Sequence, residues 1–273
     1  MESDRDKAIE VSHLNFAYGS SKILHDVALT VEKGNIVGLL GPNGSGKSTI
    51  MKIICGLLEY HDDSVRVFGK KLSSLSRKEI ARLISMVPQE SFFSFPFSVL
   101  EAVIMGRYPH IDTFAFESQQ DIAIAHEALE RCGALNLVSR KIHQLSSGER
   151  QRVVFARTLA QQPDILLLDE PVSFLDIKYQ VDLYDIVRKL AREKKCAVLT
   201  VLHDFNLAAE YCDRIYLLSD GEIKAGGDVM QVLTYSNLKN VFNTEIYIDI
   251  NDLTGKPLII PLSKDVHTRF NQG

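Results

Sequence analysis

The sequence predicts an α/β protein: a mostly parallel sheet flanked by helices, opened by an antiparallel β-segment and interrupted by an inserted helical lobe. Three observations carry that expectation. Ile36 to Leu40, Ile165 to Leu168 and Cys196 to Leu202 are near-continuous apolar runs, the composition of strands buried on both faces. Ile9 to Tyr18 and Ile23 to Val31 instead alternate apolar and polar residues, as half-buried antiparallel strands do. From about residue 90 to 162 the spacing becomes helical.

Taken in order, the two alternating strands are joined around Gly19-Ser20-Ser21, and the first ends in Tyr18, an aromatic that edge packing or a stacked base would satisfy. The apolar run ending at Leu40 passes through a glycine-rich loop into a helix over Ile50 to Leu58. Ser64 to Phe68 reads as a short strand closed by Gly69. Ser76 and Glu79 form a capping-box pattern that opens a helix to Arg82, and Leu83 to Val87 returns as a strand ending at Pro88-Gln89. Helices follow over Val99 to Met105 and over Asp121 to Cys132, the latter with Ile122, Ala125, Ala128, Leu129 and Cys132 on one face. A Ser- and Gly-containing start, Leu145 to Gln151, opens a helix over Arg152 to Ala160. Asp176 to Leu190 is amphipathic, with Ile177, Val181, Tyr184, Val187 and Leu190 on one face. Ile215 to Ser219 and Glu222 to Ala225 form a hairpin around Asp220-Gly221, Val229 to Val241 is helical, and Ile246 to Ile250 pairs with Leu258 to Pro261.

The loop LGPNGSGKST, Leu40 to Thr49, matches GxxxxGK[ST] in the strand–loop–helix context that a phosphate cradle requires. Its backbone amides converge on phosphate, Lys47 reaches the β/γ oxygens and the Ser48 hydroxyl suits Mg²⁺. This predicts a P-loop NTPase core. Other candidates stand where parallel strands would deliver them to the same crevice: Gln89, the acidic pair Asp169-Glu170, and His203. Asp169 suits metal, Glu170 suits a water positioned for attack, and His203 suits a γ-phosphate contact. The helix start at Ser146 offers unpaired amides to an anion, but the plain reading is an ordinary cap.

Composition narrows the classes. A net charge of -4 argues against a protein that grips nucleic acid through bulk positive charge. The apolar runs are far short of a membrane span, and the charged start MESDRDKAIE does not fit a signal peptide, so the chain is expected in the cytoplasm. Cys55, Cys132, Cys196 and Cys212 form no CxxC pair and read as reduced thiols. The four phenylalanines between Phe92 and Phe97 suit either lobe core or a contact surface.

Together these residues resemble the nucleotide-binding subunit of an ABC transporter, over about residues 8 to 240. In that resemblance Tyr18 is the adenine-stacking aromatic, and Gly41, Asn43, Gly44, Gly46, Lys47, Ser48 and Thr49 are the Walker A contacts. Gln89 is the Q-loop glutamine sensing Mg²⁺ and the membrane partner. Leu145 to Glu149 is the signature, supplying Ser146, Gly148 and Glu149. Ile165 to Asp169 is Walker B, with Asp169 on Mg²⁺; Glu170 is the catalytic glutamate; Ser173 to Asp176 is the D-loop, and His203 the switch histidine. One departure is LSSGE for the usual LSGGQ or LSGGE, with Ser147 in place of glycine.

The resemblance implies ATP and Mg²⁺ as ligands and a homodimer sandwiching two ATP, each held by Lys47, Ser48 and Tyr18 of one copy and Ser146 and Gly148 of the other, with Asp176 alongside. It also implies integral membrane permease subunits, a substrate-binding protein reached through them, a peripheral place on the cytoplasmic face of the membrane, and no nucleic-acid partner. The helical lobe is expected within about 90–162 of a 1–240 nucleotide-binding domain, with 241–273 as an extension. Val103 to His110, together with LSSGER, is similar to importer ATPases for iron-siderophore, haem or cobalamin, with molybdate or tungstate importers close by. The other readings are a soluble ABC-type ATPase acting on nucleic acid or the ribosome, which ordinarily carries long coiled coils absent between Thr49 and Ile165, and a monomeric P-loop kinase or GTPase, which has no use for the Ser146 segment.

Overall fold

The computed structural model describes residues 6–60, 63–89, 95–112, 115–173 and 175–263. Phe92, Phe93 and Phe174 fall outside them, as does the chain end from 264. The N-terminal hairpin pairs β1 (Lys7–Tyr18) with β2 (Ser21–Glu32), followed by β3 (Ile36–Leu40), α1 (Lys47–Ile54), β4 (Val65–Val67), β5 (Lys70–Lys71), α2 (Arg77–Leu83) and β6 (Ile84–Val87). The lobe contributes α3 (Val99–Ile104), α4 (Gln119–Arg131) and α5 (Ser147–Ala160). Then come β7 (Ile165–Asp169), α6 (Ile177–Lys194), β8 (Ala197–Val201), α7 (Phe205–Tyr211), β9 (Arg214–Ser219), β10 (Glu222–Asp228), α8 (Val229–Val232), α9 (Tyr235–Phe242), β11 (Ile246–Ile250) and β12 (Pro257–Pro261).

Two larger sheets result. One is antiparallel, in the order β2-β1-β4-β5; the other runs β10-β9-β3-β8-β7-β6 and is parallel from β9 to β6. The side-chain period of two divides the parallel strands between two cores. Val37, Leu39, Ile165, Leu167, Leu199 and Val201 pack toward α1 and the antiparallel sheet. Ile36, Leu40, Leu166, Leu168 and Val198 pack toward the lobe and α6. Pairing of Leu39 with Val201, Val201 with Asp169 and Val87 with Leu168 keeps the strand ends level, so four chain segments leave the sheet at one edge.

Several elements differ from expectation. Helix α1 begins at Lys47, directly on the phosphate loop, and stops at Ile54 because Gly56 turns the chain at φ +69. The 229–241 helix is broken in two: the Thr234 hydroxyl accepts from the Asn237 amide and starts α9 afresh. Helix α7 follows Asp204, whose carboxylate accepts from the Asn206 and Leu207 amides. On α6 the buried stripe is Leu183, Tyr184, Val187 and Ala191; Ile177 is 79% exposed and Val181 41%, because the first turns of α6 run past the layers that cover the rest. Apolar spacing shows which residues share a face but not how far a helix projects.

The lobe is fastened at the short 3₁₀ helix Met105–His110. Arg107, buried, donates through Nε to Asp121 Oδ1 at 2.9 Å and through a terminal nitrogen to the Ala160 carbonyl at 2.7 Å. The Ser118 hydroxyl and amide, followed by Arg107, hold the Asp121 carboxyl down to about 2. A depressed carboxyl stabilises the fold fully above the ordinary aspartate range, and that contribution is lost as pH falls toward 2. Arg107→Ala removes one partner of a desolvated pair and is expected to cost about 3–5 kcal/mol of stability at neutral pH, read by urea denaturation.

Candidate nucleotide site

The level strand ends explain the site. A crevice of about 660 Å³ is lined by Tyr18, Ile23, Asn43, Gly44, Gly46, Lys47, Ser48, Thr49, Gln89, Glu170 and His203. Residues delivered by β3, β6, β7 and β8, and by the end of β1, therefore meet in one place. Tyr18 is 48% exposed, lines the crevice, and makes a T-shaped contact with Phe16 at 4.9 Å between ring centres.

The phosphate loop is constrained by close packing. A Cβ on Gly41 would stand 2.0 Å from the Leu218 carbonyl oxygen, and one on Gly46, at φ +107, 2.6 Å from Leu24 Cδ2. Gly41→Ala must therefore push the loop off β9, and is expected to abolish nucleotide binding and lower the melting temperature, both measurable in one ATP-titrated thermal melt. The loop is fitted to an anion: the buried Ser45 Oγ has no hydrogen-bond partner among the described residues. The first amides of α1 lack intrahelical partners by helix geometry. Lys47 is buried, with Nζ donating to the Gly41 and Pro42 carbonyls at 2.8 and 2.9 Å. Burial lowers its pKa, and the Glu170 and Asp169 charges oppose that.

Asp169 is 2% exposed and accepts from the Ser48 hydroxyl at 3.3 Å. Burial raises its carboxyl pKa, the Ser48 hydrogen bond lowers it, and the Glu170 charge raises it further. A hydroxyl and a buried carboxylate side by side make a hard oxygen donor set of the kind Mg²⁺ takes together with phosphate and water. Ser48 and Asp169 are thus the pair that fits the metal, with Gln89 nearby.

Glu170 is the hub. Its Oε1 is 2.6 Å from His203 Nε2, and its Oε2 accepts from Gln89 Nε2 at 2.9 Å and from the Ser173 hydroxyl at 3.3 Å. Its backbone is left-handed at φ +51, strain a non-glycine residue adopts only when its surroundings impose it. Pro171, next along, accepts from the buried Gln151 side chain of α5 at 2.9 Å, tying the lobe to the strand exit. Ser45 and Gln151 were not singled out in the sequence; both lie inside recognised motifs, at positions whose identity the patterns leave free.

Ser146, Gly148, Glu149 and Asp176 do not line this crevice. Ser146 and Glu149 form a capping box: Ser146 Oγ accepts from the Glu149 amide and Glu149 Oε2 from the Ser146 amide, at 3.2 and 2.9 Å. Glu149 also pairs with Arg140 at 3.1 Å, so its carboxylate orders the helix start. Ser147 is the first residue of α5, exposed and helical. A side chain is accepted there without backbone strain, so Ser147→Gly is expected to change ATP hydrolysis by less than about threefold.

The family model described as ABC transporter matches residues 24–173. The hemin import ATP-binding protein HmuV of Bordetella avium is 40% identical over 245 residues, covering 87% of this chain and 92% of that protein. The ABC transporter ATP-binding protein YvrA of Bacillus subtilis is 39% identical over 248 residues, 90% of this chain; the chain spans only 56% of YvrA's length. Among solved structures, an inward-facing metal-chelate type ABC transporter superposes with a TM-score of 0.82 at 29% identity, covering 96% of this chain and 99% of that one. With the phosphate loop, acidic pair, glutamine and histidine gathered at one end of the parallel sheet, these matches establish that the chain belongs to the ABC transporter family.

Proposed function

We propose that the chain is the ATP-hydrolysing subunit of an importer that carries a metal-chelate-type cargo: an iron-siderophore, haem, cobalamin, or molybdate or tungstate. One observation carries the motor part of this reading. The crevice holds one wall of a nucleotide site, while the capped start of α5, with Ser146 and Gly148, points elsewhere in the same chain and suits a second copy's ATP. The hemin import relative and the metal-chelate neighbour support the cargo class.

In this mechanism Tyr18 stacks on the base, the loop from Gly41 to Thr49 with Lys47 cradles the phosphates, and Ser146, Gly148 and Asp176 of a second copy close the other side. Ser48 and Asp169, with Gln89, would hold Mg²⁺, which supplies neutralisation of the β- and γ-oxygens. Glu170 then gives up part of its present hydrogen bonding to orient the attacking water and accept its proton, and His203 holds the γ-phosphate. Closing excludes water from the site and opening releases product. The division into a 1–240 nucleotide-binding unit, a lobe within about 90–162 and an extension from 241 belongs to the same proposal.

The membrane partner has a candidate seat. A groove of about 470 Å³ runs between α2, the Met105-Gly106 turn and α5, lined in part by Leu57, Ile80, Met86 and Met105. Leu57, in the groove, is 69% exposed, and Phe95, close in sequence to Gln89, is 66% exposed. A permease segment seated there would place the chain peripherally on the cytoplasmic face, with a substrate-binding protein beyond. The expected result is co-purification with a polytopic membrane protein and loss of metal-chelate or corrinoid uptake when the gene is removed. Recovery with ribosomes or nucleic acid instead would favour the soluble ABC-type reading.

A further inference from the structure

We propose that Asn206 is a positioning residue, through which the C-terminal hairpin β11–β12 sets His203 against Glu170; this rests on the ATPase reading above. The Asn206 side chain behaves like a third strand for the hairpin: its Oδ1 accepts from the Ile259 amide at 2.8 Å and its Nδ2 donates to the Ile259 carbonyl at 3.2 Å. A second tie lies one turn on, where Lys256 bonds the Glu210 carbonyl and approaches its carboxylate at 3.7 Å. Phe205 packs edge-on against Phe242 at 4.9 Å, and Ile246 and Ile259 are buried in the same core as Ala208 and Ala209.

His203, which lines the nucleotide crevice, immediately precedes the Asp204 cap of the same helix. Asp204 caps α7 through the Asn206 and Leu207 amides, and His203, one residue earlier, contacts Glu170. Helix α7 spans only Phe205–Tyr211, too short to hold its own geometry in water, so its docking partners fix its place. A side chain that clamps backbone on both its donor and acceptor sides fixes direction as well as distance. The turn carrying His203 is thereby referred to the hairpin, and small displacements of a group in a reacting constellation are costly.

The test is a double-mutant cycle on the full chain. Asn206→Ala is expected to lower kcat by about tenfold with KM for ATP within about twofold, and to shift the His203 ring signal in a ¹³C–¹H spectrum. In a His203→Ala background the same substitution is expected to change single-turnover hydrolysis by less than about twofold, because its route to the site is gone. An equal fold-loss in both backgrounds, or an unmoved His203 signal, overturns the proposal. Lys256→Ala breaks a tie that lies a turn away from His203 and serves as the stability control: a similar fall in melting temperature with kcat near wild type supports positioning through Asn206, and an equal loss of kcat in both variants with the His203 signal unmoved overturns it. A wild-type chain that binds but does not hydrolyse ATP would instead refute the function on which the proposal rests.

Discussion

Glu170→Gln is expected to lower ATP hydrolysis between about a hundredfold and ten-thousandfold while leaving nucleotide affinity nearly intact, the range typical of removing a general base. The structure explains why the loss is confined to chemistry. Glu170 hydrogen-bonds to His203, Gln89 and Ser173, and a glutamine amide keeps comparable size and most of those hydrogen bonds. Lys47, Ser48 and Tyr18 still face the crevice. A phosphate-release assay paired with nucleotide-binding fluorescence measures both halves of the prediction, and wild-type turnover in this variant would remove Glu170 from its role.

Asp169→Asn is expected to abolish Mg²⁺-dependent hydrolysis and, at the same time, to raise the melting temperature of the nucleotide-free chain. Burial and the neighbouring Glu170 charge make the folded state hold the Asp169 proton to higher pH than the unfolded chain does. The ionised carboxylate therefore costs stability once pH rises through the folded value, and the cost vanishes below the unfolded one. Asparagine carries no charge to desolvate. Its stabilising effect should be full above the folded Asp169 value, shrink as pH falls through it, and disappear below the unfolded one. A gain of about 1 kcal/mol corresponds to roughly 2–4 °C in a chain of this size class. Melts across pH, with hydrolysis on the same samples, test this exchange of stability for function.

The parallel strands were readable because Ile36 to Leu40 and Ile165 to Leu168 are apolar without interruption, and the glycine loop, acidic pair and histidine sit at their exits. Their meeting in one crevice follows from strand order, which the chain does not write locally. Helix α7 leaves little trace in the sequence even though Asp204 is a good cap, since seven residues give periodicity too little length. Ile177 and Val181 share the apolar face of α6 by spacing, yet they are exposed, because spacing does not say how much of that face other elements cover. Asn206 could not be found from sequence: its partner, Ile259, lies fifty-three residues away, and only the fold brings them together.

The exposed Ile177 follows Asp176, a residue that the proposed mechanism sets against a second copy's ATP, so the assembly itself is the claim to test. The most direct measurement is light scattering on size-exclusion of the Glu170→Gln chain with and without ATP and Mg²⁺. A nucleotide-dependent dimer is predicted, lost when Ser146 is changed to arginine on the same background. A chain that binds ATP yet stays monomeric, or a dimer indifferent to Ser146→Arg, would contradict a site shared between two copies.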